Sequence, residues 1–260
     1  MLSAAELDIE FVNQTAQEAG RAILEVYHPD FVVESKSDDS PLTDADLRSH
    51  KIITQRLQER YPDTPILSEE SSEQAGYQTR KGWKSYFLVD PLDGTKEFVK
   101  RNGQFTVNIA LIEDGRPTAG VVYAPDLDWL YYGVEGRGAF KAEAGGEPKR
   151  LAPNGVATPG KLTIVGSRSH PSAELEAFVE EQRKAHGDVE FIAMGSSLKL
   201  CVIAEGKADI YPRFGPTMEW DTAAADAVVR AAGRRVTKHD SDEELPYNKE
   251  NLLNGWFVSR

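Results

Sequence analysis

The sequence predicts a mixed α/β protein in two subdomains, α+β in the first and α/β in the second. Three observations carry that expectation. The first sixty residues hold two stretches with apolar side chains at helical spacing. Residues 86 to 141 hold short apolar runs punctuated by Asp-Gly and Glu-Gly turns. From residue 162 onward, strand-like and helix-like runs alternate.

The elements follow in order. Ser3 and Glu6 form a capping-box pattern. Val12, Ala16, Ala19, Ile23 and Val26 then recur at helical spacing, with Leu24, Tyr27 and Phe31 adding apolar bulk before Pro29 and beyond it. A polar loop, Ser35 to Pro41, precedes a second helix expected from an N-cap at Thr43 to about Arg60, burying Ile53 and Leu57. Pro65 to Leu67 reads as a short strand, and Tyr86 to Val89 as a strand that runs into acids. Val107 to Ile112 and Thr118 to Tyr123 flank Asp114-Gly115, a hairpin signal; Leu130 to Val134 and Gly138 to Lys141 flank Glu135-Gly136 in the same way. Residues 143 to 160, rich in Gly, Pro and Ala, read as a linker, which divides the chain into subdomains of residues 1–153 and 154–260. Beyond it, strands Leu162–Val165, Val189–Ile192 and Ala208–Tyr211 alternate with helices Ala173–Ala185, Ser196–Glu205 and Thr222–Ala232.

Composition narrows the function. With 40% hydrophobic and 28% charged residues, the 260-residue chain is globular rather than disordered. A net charge of −12 argues against wrapping DNA or RNA. It leaves room for a small anionic substrate, because carboxylates recruit divalent cations that invert the local field. No apolar run approaches the roughly 20 residues that span a bilayer. Glu6, Asp8 and Glu10 stand where a signal peptide is basic, so none is expected. Cys201 is the single cysteine and cannot form an internal disulfide; in its apolar surroundings it reads as a core residue. A reducing cytoplasm is the expected location, with peripheral contact at the inner face of the cell membrane as the alternative.

Four acidic places fall at the edges of elements: Thr43-Asp-Ala-Asp46, Leu67-Ser-Glu-Glu70, Asp90-Pro-Leu-Asp-Gly-Thr95 and Trp220-Asp221, the last just before a helix. Asp90 and Asp93, with the Leu92 carbonyl between them, make a hard-oxygen cluster of the kind magnesium favours. Taken singly, each has an ordinary reading. Asp93-Gly94 can be a hairpin turn, Glu69-Glu70 a solvated pair, and Asp221 a helix N-cap.

Together, a Glu-Glu pair, then Asp-Pro-Leu-Asp-Gly-Thr, then Trp-Asp before a helix resemble the inositol monophosphatase family, and the likeness runs from Asp39 to Gly233. The resemblance implies a layered αβαβα sandwich with the site where the two subdomains meet. It implies two to three Mg2+ ions, held by Glu69, Asp90, the Leu92 carbonyl, Asp93 and Asp221. It implies that Asp46 and Thr95 orient the attacking water and that Glu70 also bonds it. It further implies inhibition by lithium and failure of calcium to support turnover.

Gly94-Thr-Lys-Glu-Phe98, Gly195-Ser-Ser-Leu-Lys199 and Tyr211-Pro-Arg-Phe214 resemble the bisphosphate-nucleotide branch of that family. In that branch His170, Ser196, Lys199 and Arg213 would hold the 5'-phosphate and adenosine. Glu69, Leu92, Asp93, Gly94, Thr95 and Asp221 would line the reacting phosphate. The implied partner is a small bisphosphorylated nucleotide, 3'-phosphoadenosine 5'-phosphate or its 5'-phosphosulfate, and not a nucleic acid. A second phosphate needs cations of its own, and Lys199 and Arg213 can supply them. Three other readings stay open: inositol monophosphate or a sugar bisphosphate as the ester, a non-catalytic phosphate- or nucleotide-binding regulator, and a metal-stabilised structural protein. Oligomeric state is left open.

Overall fold

The computed structural model describes residues 1–28, 41–152, 161–167 and 172–260. Five layers are stacked in it. Helices α1 (Ile9–Tyr27) and α2 (Pro41–Arg60) cover one face of a seven-stranded sheet. The strands of that sheet are β1 (Ile66–Ser68), β2 (Ser85–Asp93), β3 (Thr106–Glu113), β4 (Arg116–Ala124), β5 (Trp129–Val134), β6 (Gly138–Glu143) and β7 (Lys149–Leu151), in sequential order. The β1–β2 pair is parallel, and the rest are antiparallel. Helices α6 (Leu198–Glu205) and α7 (Glu219–Ala231) cover the opposite face.

The fourth layer is built from two small sheets. In one, β8 (Leu162–Gly166) pairs in parallel with β9 (Val189–Ala193); in the other, β12 (Phe257–Ser259) lies between β10 (Tyr211–Arg213) and β11 (Val236–Lys238). A parallel bridge from Ile164 to Ile210 links the two. Phe178 and Val179 of α5 (Ala173–His186) pack against β8 and β9 as the outermost layer. One apolar cluster runs from Tyr86 and Leu88 of the large sheet through α6 and α7 to Val165, Val236 and Phe257 of the small ones, so the two halves share a core.

Alternation along β2 explains why it is buried on both faces. Tyr86 and Leu88 point to α6 and α7, while Phe87 and Val89 point to α1 and α2. Each such side chain, fully buried, contributes about 1.5–3 kcal/mol. Helix α7 comes close to the sheet because its inner face is alanine and the sheet offers glycine. A Cβ on Gly120 would sit 2.2 Å from the Ala224 carbonyl oxygen.

Several boundaries differ from the sequence-based expectation. Ser3 and Glu6 do bond, Ser3 Oγ donating to Glu6 at 2.7 Å, but they close a separate turn. The helix itself starts at Ile9, capped by Asp8, which accepts from the Phe11 amide. Thr43 lies inside α2, after Pro41 and Leu42, rather than capping it. Residues 149–151 of the expected linker form β7, because Lys149 to Leu151 find the free edge of β6. The strand expected at Ala208–Tyr211 is split: Asp209 and Ile210 bond to β8, and the chain then crosses to β12 as β10. Trp220 and Asp221 lie in the first turn of α7, not ahead of it. Strands β11 and β12 have no clear signal in the sequence. Among the described residues no helix is long and apolar enough to cross a membrane.

Candidate active site

The acids converge because β2 is irregular. Residues three apart on a regular strand point to opposite faces. Here Asp90 pairs with Asn108 and Asp93 with Thr106, so β2 carries one residue more than β3 across this step. The extra residue is a bulge at Pro91-Leu92, a position where proline is tolerated because no ladder N–H is needed. Its effect shows in Leu92, which packs with Phe87 and Val89 on the α1–α2 side instead of alternating to the other face. Asp90 and Asp93 are thereby both directed to the α7 side, where Asp221 stands in the first helical turn.

Asp90 is 1% exposed, and its carboxyl is pushed well above the usual range, first by burial and then by Asp93, Glu69, Asp221 and Asp46. Among the described residues, the charged groups that act on it most are all acids. Asp221 is pushed up to about 7, by burial and then by Asp93. Glu69 stands at the exposed rim as the first residue of a 3-10 helix, Glu69–Gln74, yet protein atoms desolvate its carboxyl; with Glu70 and Asp93 they push it up to about 7. Asp46, half-buried on α2, is pushed up to about 8 by burial and then by Glu70 and Glu69, and its buried Oδ1 has no hydrogen-bond partner among the described residues.

Each aspartate among the metal-ligand candidates gives one oxygen to a backbone N–H. Asp90 Oδ1 accepts from Leu92 at 3.1 Å, Asp93 Oδ2 from Ser197 at 2.7 Å and Asp221 Oδ2 from Met218 at 2.9 Å. Among the described residues, no three Asp, Glu, His or Cys side chains stand placed to close on a single ion. The fit to a divalent cation rests on donor chemistry and charge. These are hard oxygens only, and a buried carboxylate whose main charged neighbours are acids is relieved by a cation.

Beside the acids lies a cleft of about 200 Å³, lined by Asp93, Thr95 and Asp221 together with Lys199, Tyr211 and Arg213. Lys199 is 8% exposed and donates to the Ser196 carbonyl at 2.5 Å. Burial lowers its pKa to about 8 against the opposing pull of Asp93. Arg213 donates to the Pro216 carbonyl at 3.0 Å, and its buried Nε has no partner among the described residues. Thr95, the exposed first residue of a short helix, α4 (Thr95–Val99), makes no hydrogen bond to Asp46 among the described residues. His170 lies outside the described residues.

Ser196 has a different setting from the one its neighbours suggest. Its Oγ lies within bonding distance of two carbonyls, Asp93 at 3.0 Å and Gln104 at 2.7 Å. It fills the space a Cβ on Gly94 would take, 2.0 Å away, and Gly94 itself has φ +94°. The hydroxyl therefore latches loop 195–197 onto the β2 bulge and keeps only lone pairs for a ligand. Gln104 completes the latch, accepting from Gly195 N at 2.9 Å, and Ser197 Oγ bonds Asn108 and Thr106 behind it. Gln104, Ser197 and the bulge escape a linear reading. Only the proline within a strand-like run signals any of them.

A model of the inositol monophosphatase family matches residues 5–255. The 3'(2'),5'-bisphosphate nucleotidase CysQ of Salmonella typhimurium (strain LT2) is 47% identical over 253 residues, 96% of this chain and 98% of that one. The CysQ of Escherichia coli (strain K12) is 46% identical over the same share of each chain. The crystal structure of CysQ from Bacteroides thetaiotaomicron, described as a bacterial member of the inositol monophosphatase family, superposes with a TM-score of 0.86 at 45% identity, covering 95% of this chain and 94% of that one.

Proposed function

The chain belongs to the inositol monophosphatase family, and we propose from that membership that it is a magnesium-dependent 3'(2'),5'-bisphosphate nucleotidase. It takes the 3'-phosphate from 3'-phosphoadenosine 5'-phosphate, leaving AMP and phosphate, and its second candidate substrate is the 5'-phosphosulfate. The observation that carries this reading is the pairing of two charge patterns in one cleft: acids at Asp93 and Asp221, and cations at Lys199, which is buried, and Arg213, which is half-buried.

Glu69, Asp90, the Leu92 carbonyl, Asp93 and Asp221 are the groups we assign to two or three Mg2+ ions. When bound, such ions offset the charge of the phosphate ester and lower the pKa of bound water. The protein's own share is positioning. Asp46 shares a side-chain hydrogen bond with Glu70, and in this reading the two carboxyls orient the attacking water and accept its proton. Thr95 offers a hydroxyl at the cleft wall to orient that water. Water adds to phosphorus as the bond to the ribose 3'-oxygen breaks, and that oxygen leaves with a proton. Lys199 and Arg213 bind the phosphate that does not react, Arg213 through its buried Nε. In this proposal the first subdomain, residues 1–153, carries most of the metal ligands. The second, residues 154–260, carries the nucleotide contacts, His170 and Ser196 among them.

The test compares substrates with one and two phosphates. A lost charge-assisted hydrogen bond is worth about 1.5–3 kcal/mol, or about 10- to 150-fold. Lys199→Ala and Arg213→Ala should each lower kcat/KM by that factor on 3'-phosphoadenosine 5'-phosphate and barely change it on a simple monophosphate ester. Equal loss on both substrates would assign the two residues to the fold, and no loss on either would remove the support for the bisphosphate substrate.

A further inference from the structure

One face of α2 carries Asp46 and reaches the two acidic stretches that flank β1 and end β2. Asp46, Ser49 and His50 stand at positions i, i+3 and i+4, which share a helical face. Ser49 is fully buried, and its Oγ donates to the Pro91 carbonyl at 2.7 Å, inside the bulge that aims Asp90 and Asp93. His50 Nδ1 lies 2.9 Å from Ser68 Oγ. Ser68 is itself fully buried and precedes Glu69 and Glu70 as the N-cap of their 3-10 helix, yet its hydroxyl makes no capping bond and turns to His50 instead. Burial lowers the pKa of His50 against the opposing pull of Glu70.

We propose that Ser49 and His50 are positioning residues, which register the bulge and the glutamate pair against Asp46 so that acids from three separate stretches meet at one place. The inference rests on the metal-dependent reading above. Ser49 fixes the direction of the Pro91 carbonyl inside the bulge, and with it the peptide that leads into Leu92. His50 sets the start of the turn that presents Glu69 and Glu70. Neither side chain touches the cleft, so both act through the groups they hold.

The experiment measures Mg2+ affinity by calorimetry, kcat and KM separately, and the melting temperature of the metal-free protein. The variants are Ser49→Ala, Ser68→Ala, His50→Leu and His50→Asn, with wild type alongside. Partners behind a metal ligand cost about 10- to 100-fold in metal affinity or activity when removed. Ser49→Ala and His50→Leu should lose that much in Mg2+ affinity or kcat, with KM for the nucleotide nearly unchanged. Asparagine can place a polar atom close to the Nδ1 position, so His50→Asn should recover most of the loss. His50→Leu and Ser68→Ala break the same bond, so combined they should cost little more than either alone. Should His50→Leu fail to fold, Ser68→Ala carries the test by loss of one oxygen. Wild-type Mg2+ affinity and kcat in both Ser49→Ala and Ser68→Ala would overturn the proposal while leaving the function standing. A wild-type protein that neither binds Mg2+ nor turns over the nucleotide would overturn the function itself.

Discussion

Asp90 is the residue where folding and function pull hardest against each other. It is buried, it is acidic, and the charged groups that act on it most share its sign. Asp90→Asn keeps the shape and removes the charge. Two opposite effects should follow. The metal-free variant should melt higher than metal-free wild type, because one member of a repelling set is gone. Its Mg2+ affinity and turnover should fall by more than the ~10- to 100-fold that outer partners cost. Paired melting curves with chelator and with Mg2+ check both signs. A variant that melts lower without metal would mean that Asp90 is structural in its own right. Lys199 shows the same tension in milder form: burial lowers its pKa, and a bound phosphate would raise it again.

At the scale of elements, the site depends on two close approaches. Helix α7 carries Asp221, and it lies against β4 only because Gly120 has no side chain. Gly120→Val should therefore lift the helix, at a cost of about 1–3 kcal/mol or more as for other overpacked cores, and should weaken Mg2+ binding in parallel. Thermal melts and metal titration on the same preparation test the linkage; normal metal affinity at reduced stability would show that Asp221 tolerates the shift. Gly94 is the second approach. Gly94→Ala places a methyl group on Ser196 Oγ while holding φ at +94°, so it should unlatch loop 195–197. Adding Ser196→Gly should return some of the lost stability by removing the collision, leaving the backbone strain of about 1–2 kcal/mol. If the double variant is no more stable than Gly94→Ala, backbone strain alone explains the loss.

For the whole molecule, the raised carboxyls tie stability to pH and to metal. Asp46, Glu69 and Asp221 stand at about 8, 7 and 7, against about 4 in an unfolded chain. A carboxyl raised on folding binds more protons folded than unfolded between those two values. Its contribution is full below about pH 4 and is lost as pH rises through 7 to 8. The metal-free protein should thus lose stability from these groups between about pH 4 and 8, and Mg2+ should restore it increasingly toward pH 8. At 100 times its Kd a bound ion adds about 2.7 kcal/mol, or roughly 5–10 °C in Tm at this chain length. Melting across that range with chelator and with Mg2+ measures it, and a Mg2+ increment that shrinks toward pH 8 would reverse the assignment.

Local pattern along the chain is enough to read the element types, the Asp114-Gly115 hairpin, the family and the candidate acids. Each is written in a period, in turn chemistry or in the order of a few neighbouring residues. Helix ends are less well specified, as at Asp8, Thr43 and Trp220, since caps compete within a turn or two of one another. That Asp90 and Asp93 share a face emerges only in the folded chain, because it depends on one extra residue set against a partner strand. The same holds for the latch of Ser196 on Gly94 and for the reach of α2 to both Pro91 and Ser68. Those contacts join residues far apart in the chain, and no period within one segment records which distant backbone a hydroxyl will meet.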